Sequence, residues 1–120
     1  MPGSTPFAQR LRTRIRHGLE PDNPALVMMW LDFEDNQCAG SPCDQQWRCY
    51  RDAVDLLLET FTDELNPSHW RVFCLDQLVR PLCCLQRLAG SDERHEELQG
   101  LLQEISTLSH FFCPSLSRPD

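Results

Sequence analysis

Between Trp47 and Leu65 large apolar residues recur at Trp47, Tyr50, Val54, Leu57 with Leu58, Phe61 and Leu65. Steps of three and four put them on one side of an α-helix, while Arg48, Arg51, Asp52, Asp55 and Glu59 lie largely opposite. A helix with so long an apolar face needs apolar surfaces to cover it. The rest of the chain supplies them at the same period: Phe7, Leu11, Ile15 and Leu19; Leu26, Val27, Met29, Trp30 and Phe33; Trp70, Phe73, Cys74, Leu78, Leu82, Leu85 and Leu88; and Leu98, Leu101, Leu102, Ile105, Leu108 and Phe112. No segment alternates with the period of two that a half-buried strand requires. The expected fold is all-α, a compact bundle of five or six helices joined by short loops.

Prolines, glycines and capping residues divide these stripes. The first helix is expected to end near Gly18, and Asp22-Asn23-Pro24 offers a cap followed by proline at the first position of a helix reaching about Asp35. Asn36 to Ser41 reads as a loop, and Ser41-Pro42-Cys43-Asp44 starts the third helix with the same device. Asn66-Pro67 ends that helix and begins the next. Pro81 lacks an amide proton and its ring collides with the preceding turn, so the segment 67–89 should break near Val79 to Leu82. Gly90 and Ser91-Asp92-Glu93 mark a further helix start, and Pro114 a stop. These boundaries imply a flexible lead at 1–6, a single helical domain at 7–113 and a disordered tail at 114–120.

Lysine is absent and arginine occurs eleven times, with Arg10, Arg12, Arg14 and Arg16 in one short run. A GC-rich genome explains this bias; selection against ubiquitin acceptor sites is the sharper alternative. Residues 1–19 hold those four arginines and no acid, whereas the remainder sets seven arginines against eighteen acids. An acidic body of that kind repels nucleic acid and anionic membrane, so nucleic acid is an unlikely partner. Alternate spacing spreads the arginines around their helix, which suits a solvated, partly neutralised surface; importin, RNA or membrane binding is the alternative. The longest apolar run, at Ala25 to Leu31, is far short of a bilayer span.

Seven cysteines are an odd number, and no apolar leader precedes them, so a reducing, intracellular setting with seven free thiols is expected. Cys74, Cys83, Cys84 and Cys113 lie in apolar helical patterns as small hydrophobes. Cys38, Cys43 and Cys49 are separated by four and five residues, without the tight knuckle of a zinc site or a nearby histidine. His69 with Cys74, or Cys83 and Cys84 with His95, could contribute ligands only if the fold brings them together in three dimensions. No metal, cofactor or catalytic residue is expected, and the protein is read as a non-enzymatic binder.

Phe61, Asp63, Asn66, Trp70 and Arg71, within the stretch Glu59 to Phe73, resemble the first homology motif of the B-cell lymphoma-two family of apoptosis regulators. There an acidic-aromatic helix end leads through Asp and Asn into Trp-Gly-Arg and an apolar helix. Here Pro67, Ser68 and His69 separate Asn66 from Trp70, and the glycine is missing. With the chain length and GC-rich composition, the whole resembles the small helical bundles by which large DNA viruses, poxviruses among them, modulate host signalling. The resemblance implies a cytoplasmic or nuclear protein that inhibits host NF-κB signalling or apoptosis by occupying a host signalling protein, as a monomer or a homodimer. Phe61, Asp63, His69, Trp70 and Arg71 would form the partner surface, with Arg10, Arg12, Arg14 and Arg16 as a second candidate. The alternative is a nuclear adaptor or transcription regulator acting through the basic N-terminal helix.

Overall fold

The computed structural model describes residues 6–116, and the side chains of 6–113. Among the described residues there are six helices: α1 (Pro6–Arg16), α2 (Ala25–Cys38), α3 (Cys43–Thr62), α4 (Ser68–Gln77), α5 (Val79–Leu88) and α6 (Asp92–Leu116). The expected lead at 1–6 and tail at 114–120 change accordingly. Pro6 opens α1, α6 continues through Pro114 to Leu116, and residues 1–5 and 117–120 lie outside the described part.

The third helix is the hub, touching every other helix. Its consecutive Leu56, Leu57 and Leu58 are all buried, as are Ala53, Val54, Thr60 and Phe61, so it is enclosed on more than one side. Leu11 and Ile15 of α1, Val27 and Trp30 of α2, Trp70 and Cys74 of α4, Leu85 of α5, and Leu98 and Leu101 of α6 complete one continuous core. The body measures 47 × 33 × 17 Å, about two helices deep along its short axis, and the outer helices therefore keep an exposed face. No described helix is long and apolar enough to cross a membrane.

Several boundaries move for local reasons. Helix α2 runs to Cys38, beyond the expected Asp35, because Cys38 is buried. Helix α3 starts one residue later than its proline suggests: Pro42 is extended and stands just outside. It also stops at Thr62, short of Asn66. There the Asp63 carboxylate accepts the Leu65 amide at 3.0 Å in a local turn, and Leu65, expected inside, is 93% exposed. Leu19 and Met29 are likewise exposed. The break between α4 and α5 falls at Leu78, three residues before Pro81, where the missing amide and the ring disturb the preceding turn. Ser91 caps α6 as expected, its hydroxyl accepting the Arg94 amide at 3.2 Å.

Helix α1 closes in a Schellman arrangement, the Gly18 amide bonding the Ile15 carbonyl at 3.1 Å and the Leu19 amide the Arg14 carbonyl at 3.0 Å. Gly18 has φ +56°, and a Cβ there would stand 2.8 Å from Asn66 Oδ1. Gly18→Ala is therefore expected to cost about 1–3 kcal/mol in chemical denaturation, from the left-handed backbone and from displacement of Asn66. Gly100 is the opposite case. It lies within α6 with open space around it, so Gly100→Ala is expected to raise stability by up to about 1 kcal/mol, read as a higher denaturation midpoint at unchanged slope.

Candidate functional site

The residues singled out by the family-like motif meet at the junction of α1, α3 and α4, where most of them face inward. Helices end in carbonyls without intrahelical partners, and the side chains of Asn66, Trp70 and Arg71 supply those partners. Asn66 Nδ2 donates to the Arg16 and Thr60 carbonyls, both at 3.1 Å, and Trp70 Nε1 donates to the Ile15 carbonyl at 2.9 Å. Arg71 Nε donates to the Phe61 carbonyl at 2.6 Å. The Arg71 guanidinium lies over the rings of Phe61 and Phe112, at 5.9 and 5.6 Å. Phe61, Trp70 and Arg71 are buried, so the expected partner surface is, at these three positions, an internal clamp joining the ends of two helices to the start of a third.

Asp63 and His69 lie at the margin of that clamp. Asp63 accepts from Arg16 at 2.7 Å; this bond, then the Leu65 amide, holds its carboxyl below the usual aspartate range. His69 is exposed, 3.0 Å from Asp22. Arg12 and Arg14 of α1 also meet the protein's own acids. Arg12 pairs with Asp52 at 2.8 Å and lies over the Trp30 ring, Arg14 pairs with Glu20, and Arg16 adds Glu59 at 3.7 Å; Arg10 is exposed. This follows from placing a basic helix on an acidic body, and the exposed pairs contribute little stability individually.

An apolar groove of about 330 Å³ opens elsewhere, between the α4–α5 elbow and α6. Leu75, Leu78, Val79 and Leu82 form one wall; Leu98, Leu102 and Ile105 form the other. Its volume is at the small end for ligand sites, enough for a few apolar side chains. Val79 is 59% exposed and Leu102 40%, and Asp76 is the charged member of the lining. The groove lies where the end of α4 and the start of α5, on either side of the break at Leu78, face α6. Leu78, Leu82, Leu98, Leu102 and Ile105 belong to two stripes that the sequence marks as inward-facing, whereas Leu75 and Val79 lie outside them. No periodicity distinguishes a stripe that is fully covered from one left half-open.

A second cluster lies where α2 runs into α3. The expectation of seven free thiols is corrected: Cys38 and Cys49 form a disulfide, while Cys43, Cys74, Cys83 and Cys84 are free. The extension of α2 carries Cys38 back toward the first turns of α3, a proximity that linear spacing does not reveal. Glu34 joins the pair, with Oε2 3.2 Å from Cys49 Sγ and Oε1 accepting the Trp30 indole N–H at 3.1 Å. Burial raises the Glu34 carboxyl above the usual range, against the opposing pull of Arg12 at 4.0 Å. Trp30, Glu34 and Cys38 step by four along α2, a legible signal that all three share a face. Cys74, by contrast, sits in the core, where burial pushes its thiol up to about 12 and leaves it unreactive.

No protein-family model, curated protein or solved structure matches this chain. The groove and the cysteine cluster must therefore be interpreted from their own chemistry.

Proposed function

We propose that this protein is a non-enzymatic binding module whose groove between the α4–α5 elbow and α6 receives an amphipathic helix from a partner protein. The groove carries the reading. It presents apolar walls, exposed Val79 and Leu102 at its mouth, and one carboxylate, Asp76. A helix bearing apolar anchors three and four residues apart would fill it, with a basic residue facing Asp76. The acidic balance of residues 20–120 also favours a basic partner through long-range attraction.

At the level of the cell, we propose that occupying such a helix damps a host signalling output, NF-κB activation first and apoptosis second, in the cytoplasm or nucleus. The support here is the family resemblance around Phe61, Asp63, Trp70 and Arg71 and the GC-rich, lysine-free composition typical of some large DNA viruses. The motif's contribution is to the packing of α1, α3 and α4, since three of those four side chains are enclosed. A charge reversal at Arg71 would thus disturb the fold and would report poorly on binding.

The test is a Val79→Glu, Leu102→Glu double variant expressed beside the wild type with an NF-κB reporter and a cell-death assay. Both positions are exposed, so circular dichroism should show an unchanged fold, while suppression of the reporter should fall at least tenfold. A folded wild type that changes neither output would refute the signalling role. Full activity in the double variant would exclude the groove as the binding site.

A further inference from the structure

We propose that Cys38, Cys49 and Glu34 form a binding site for a thiophilic divalent cation of the zinc class, open when the two cysteines are reduced and closed when they are joined. This inference is independent of the groove and of any signalling role. One ligand atom from each residue lies within 4.8 Å of the others, and Glu34 and Cys38 are buried. Such a cluster inside a fold is a different object from scattered surface acids and thiols.

The backbone separation suits the ion. Two sulfurs on one tetrahedral zinc, each at ~2.3 Å, stand about 3.8 Å apart, further than bonded sulfurs, and so need well-separated Cα atoms. Those of Cys38 and Cys49 are 7.0 Å apart, at the wide end for a disulfide. Release of the bond lets the sulfurs part around a cation without moving either helix far.

Glu34 is already oriented for ligation. Trp30 Nε1 holds Oε1 at 3.1 Å and Arg12 approaches the same oxygen at 4.0 Å, so Oε2 is the atom turned toward the sulfurs. Metal-ligating carboxylates are commonly held by hydrogen bonds of this kind. Two thiolates and a carboxylate exceed a divalent cation by one negative charge, and the Arg12 guanidinium, shared with Asp52 at 2.8 Å, lies 4.0 Å from Glu34 to offset part of it. Three protein ligands leave the fourth position to water.

Opening the site requires a two-electron reductant. A dithiol gives two electrons and two protons to the Cys38–Cys49 bond and becomes a disulfide itself, while a phosphine gives the two electrons and becomes its oxide as water supplies the oxygen and both protons; either way the bond becomes two thiols. The cation then displaces both thiol protons to solvent, together with any proton on Glu34. In either state α2 remains tied to α3 across the short turn at 39–42, by the disulfide or by the ion.

The experiment uses the full chain, reduced with a phosphine and freed of excess reductant, titrated with Zn²⁺ against a chromophoric chelator and with Co²⁺ by absorption spectroscopy. The expected result is one equivalent of zinc and cobalt bands of a tetrahedral, sulfur-containing site, neither of them in the oxidised chain. Cys38→Ser, Cys49→Ser should abolish both signals, Glu34→Gln should weaken zinc at least tenfold, and Cys43→Ser should retain them, with circular dichroism confirming that each variant is folded. Absence of zinc binding by the reduced wild type overturns the proposal. So does binding that persists in the double cysteine variant, which would place the metal on other thiols.

Discussion

Trp70→Ala is expected to remove about 3–5 kcal/mol of stability, the usual range for truncating a large aromatic side chain in a core. Trp70 is 1% exposed, stacks on Phe73 at a centroid distance of 6.1 Å and donates its indole N–H to the Ile15 carbonyl. The truncation leaves a cavity at the meeting of α1, α3 and α4. It also removes one of the two donors on that carbonyl, the other being the Gly18 amide. Trp70→Phe separates the two effects: most of the packing remains, and only about 1 kcal/mol should follow from the lost hydrogen bond. Urea denaturation followed by circular dichroism provides the comparison. A Trp70→Ala midpoint equal to that of Trp70→Phe would mean that the ring is not enclosed as described.

Leu57→Ala should cost about 2–5 kcal/mol, a fall in the melting temperature on the order of 4 °C per kcal/mol for a domain of this size. Leu57 is fully buried in α3, the helix against which all the others pack. The informative control is Leu65→Ala. Helical periodicity places Leu65 on the same stripe, eight residues on, but it lies beyond the end of α3 and is solvated. Its truncation should change stability by less than about 0.5 kcal/mol. Equal losses at the two positions would restore the longer helix that periodicity alone predicts.

The comparison of Leu57 with Leu65 shows what sequence reasoning can resolve. Spacing identifies which side of a helix is apolar, because period is a property of neighbouring residues. It does not identify where the helix stops when the stop is imposed by distant groups. Here Arg16 of α1 binds Asp63, and Asn66 reaches back to the carbonyls of Thr60 and Arg16, so the turn after α3 depends on a segment about fifty residues earlier. The same limit applies to the candidate surface. Phe61, Trp70 and Arg71 look like a recognition motif in one dimension, but an indole N–H and a guanidinium also satisfy helix-end carbonyls, and burial decides between the uses. Cys38 and Cys49 present the reverse case: their spacing carries no ligand signature, and the packing of α2 against α3 makes them neighbours.

By itself the sequence determined the all-α class, most of the apolar face of the helices, the cap at Ser91 and a break close to Pro81, all consequences of local periodicity and backbone chemistry. The tertiary structure decided which stripes close and which remain a groove, which cysteines meet, and that the motif at Asn66, Trp70 and Arg71 works as an internal clamp. Those outcomes depend on burial and on hydrogen-bond partners far apart in the chain. Local periodicity contains no information about either until the helices have packed.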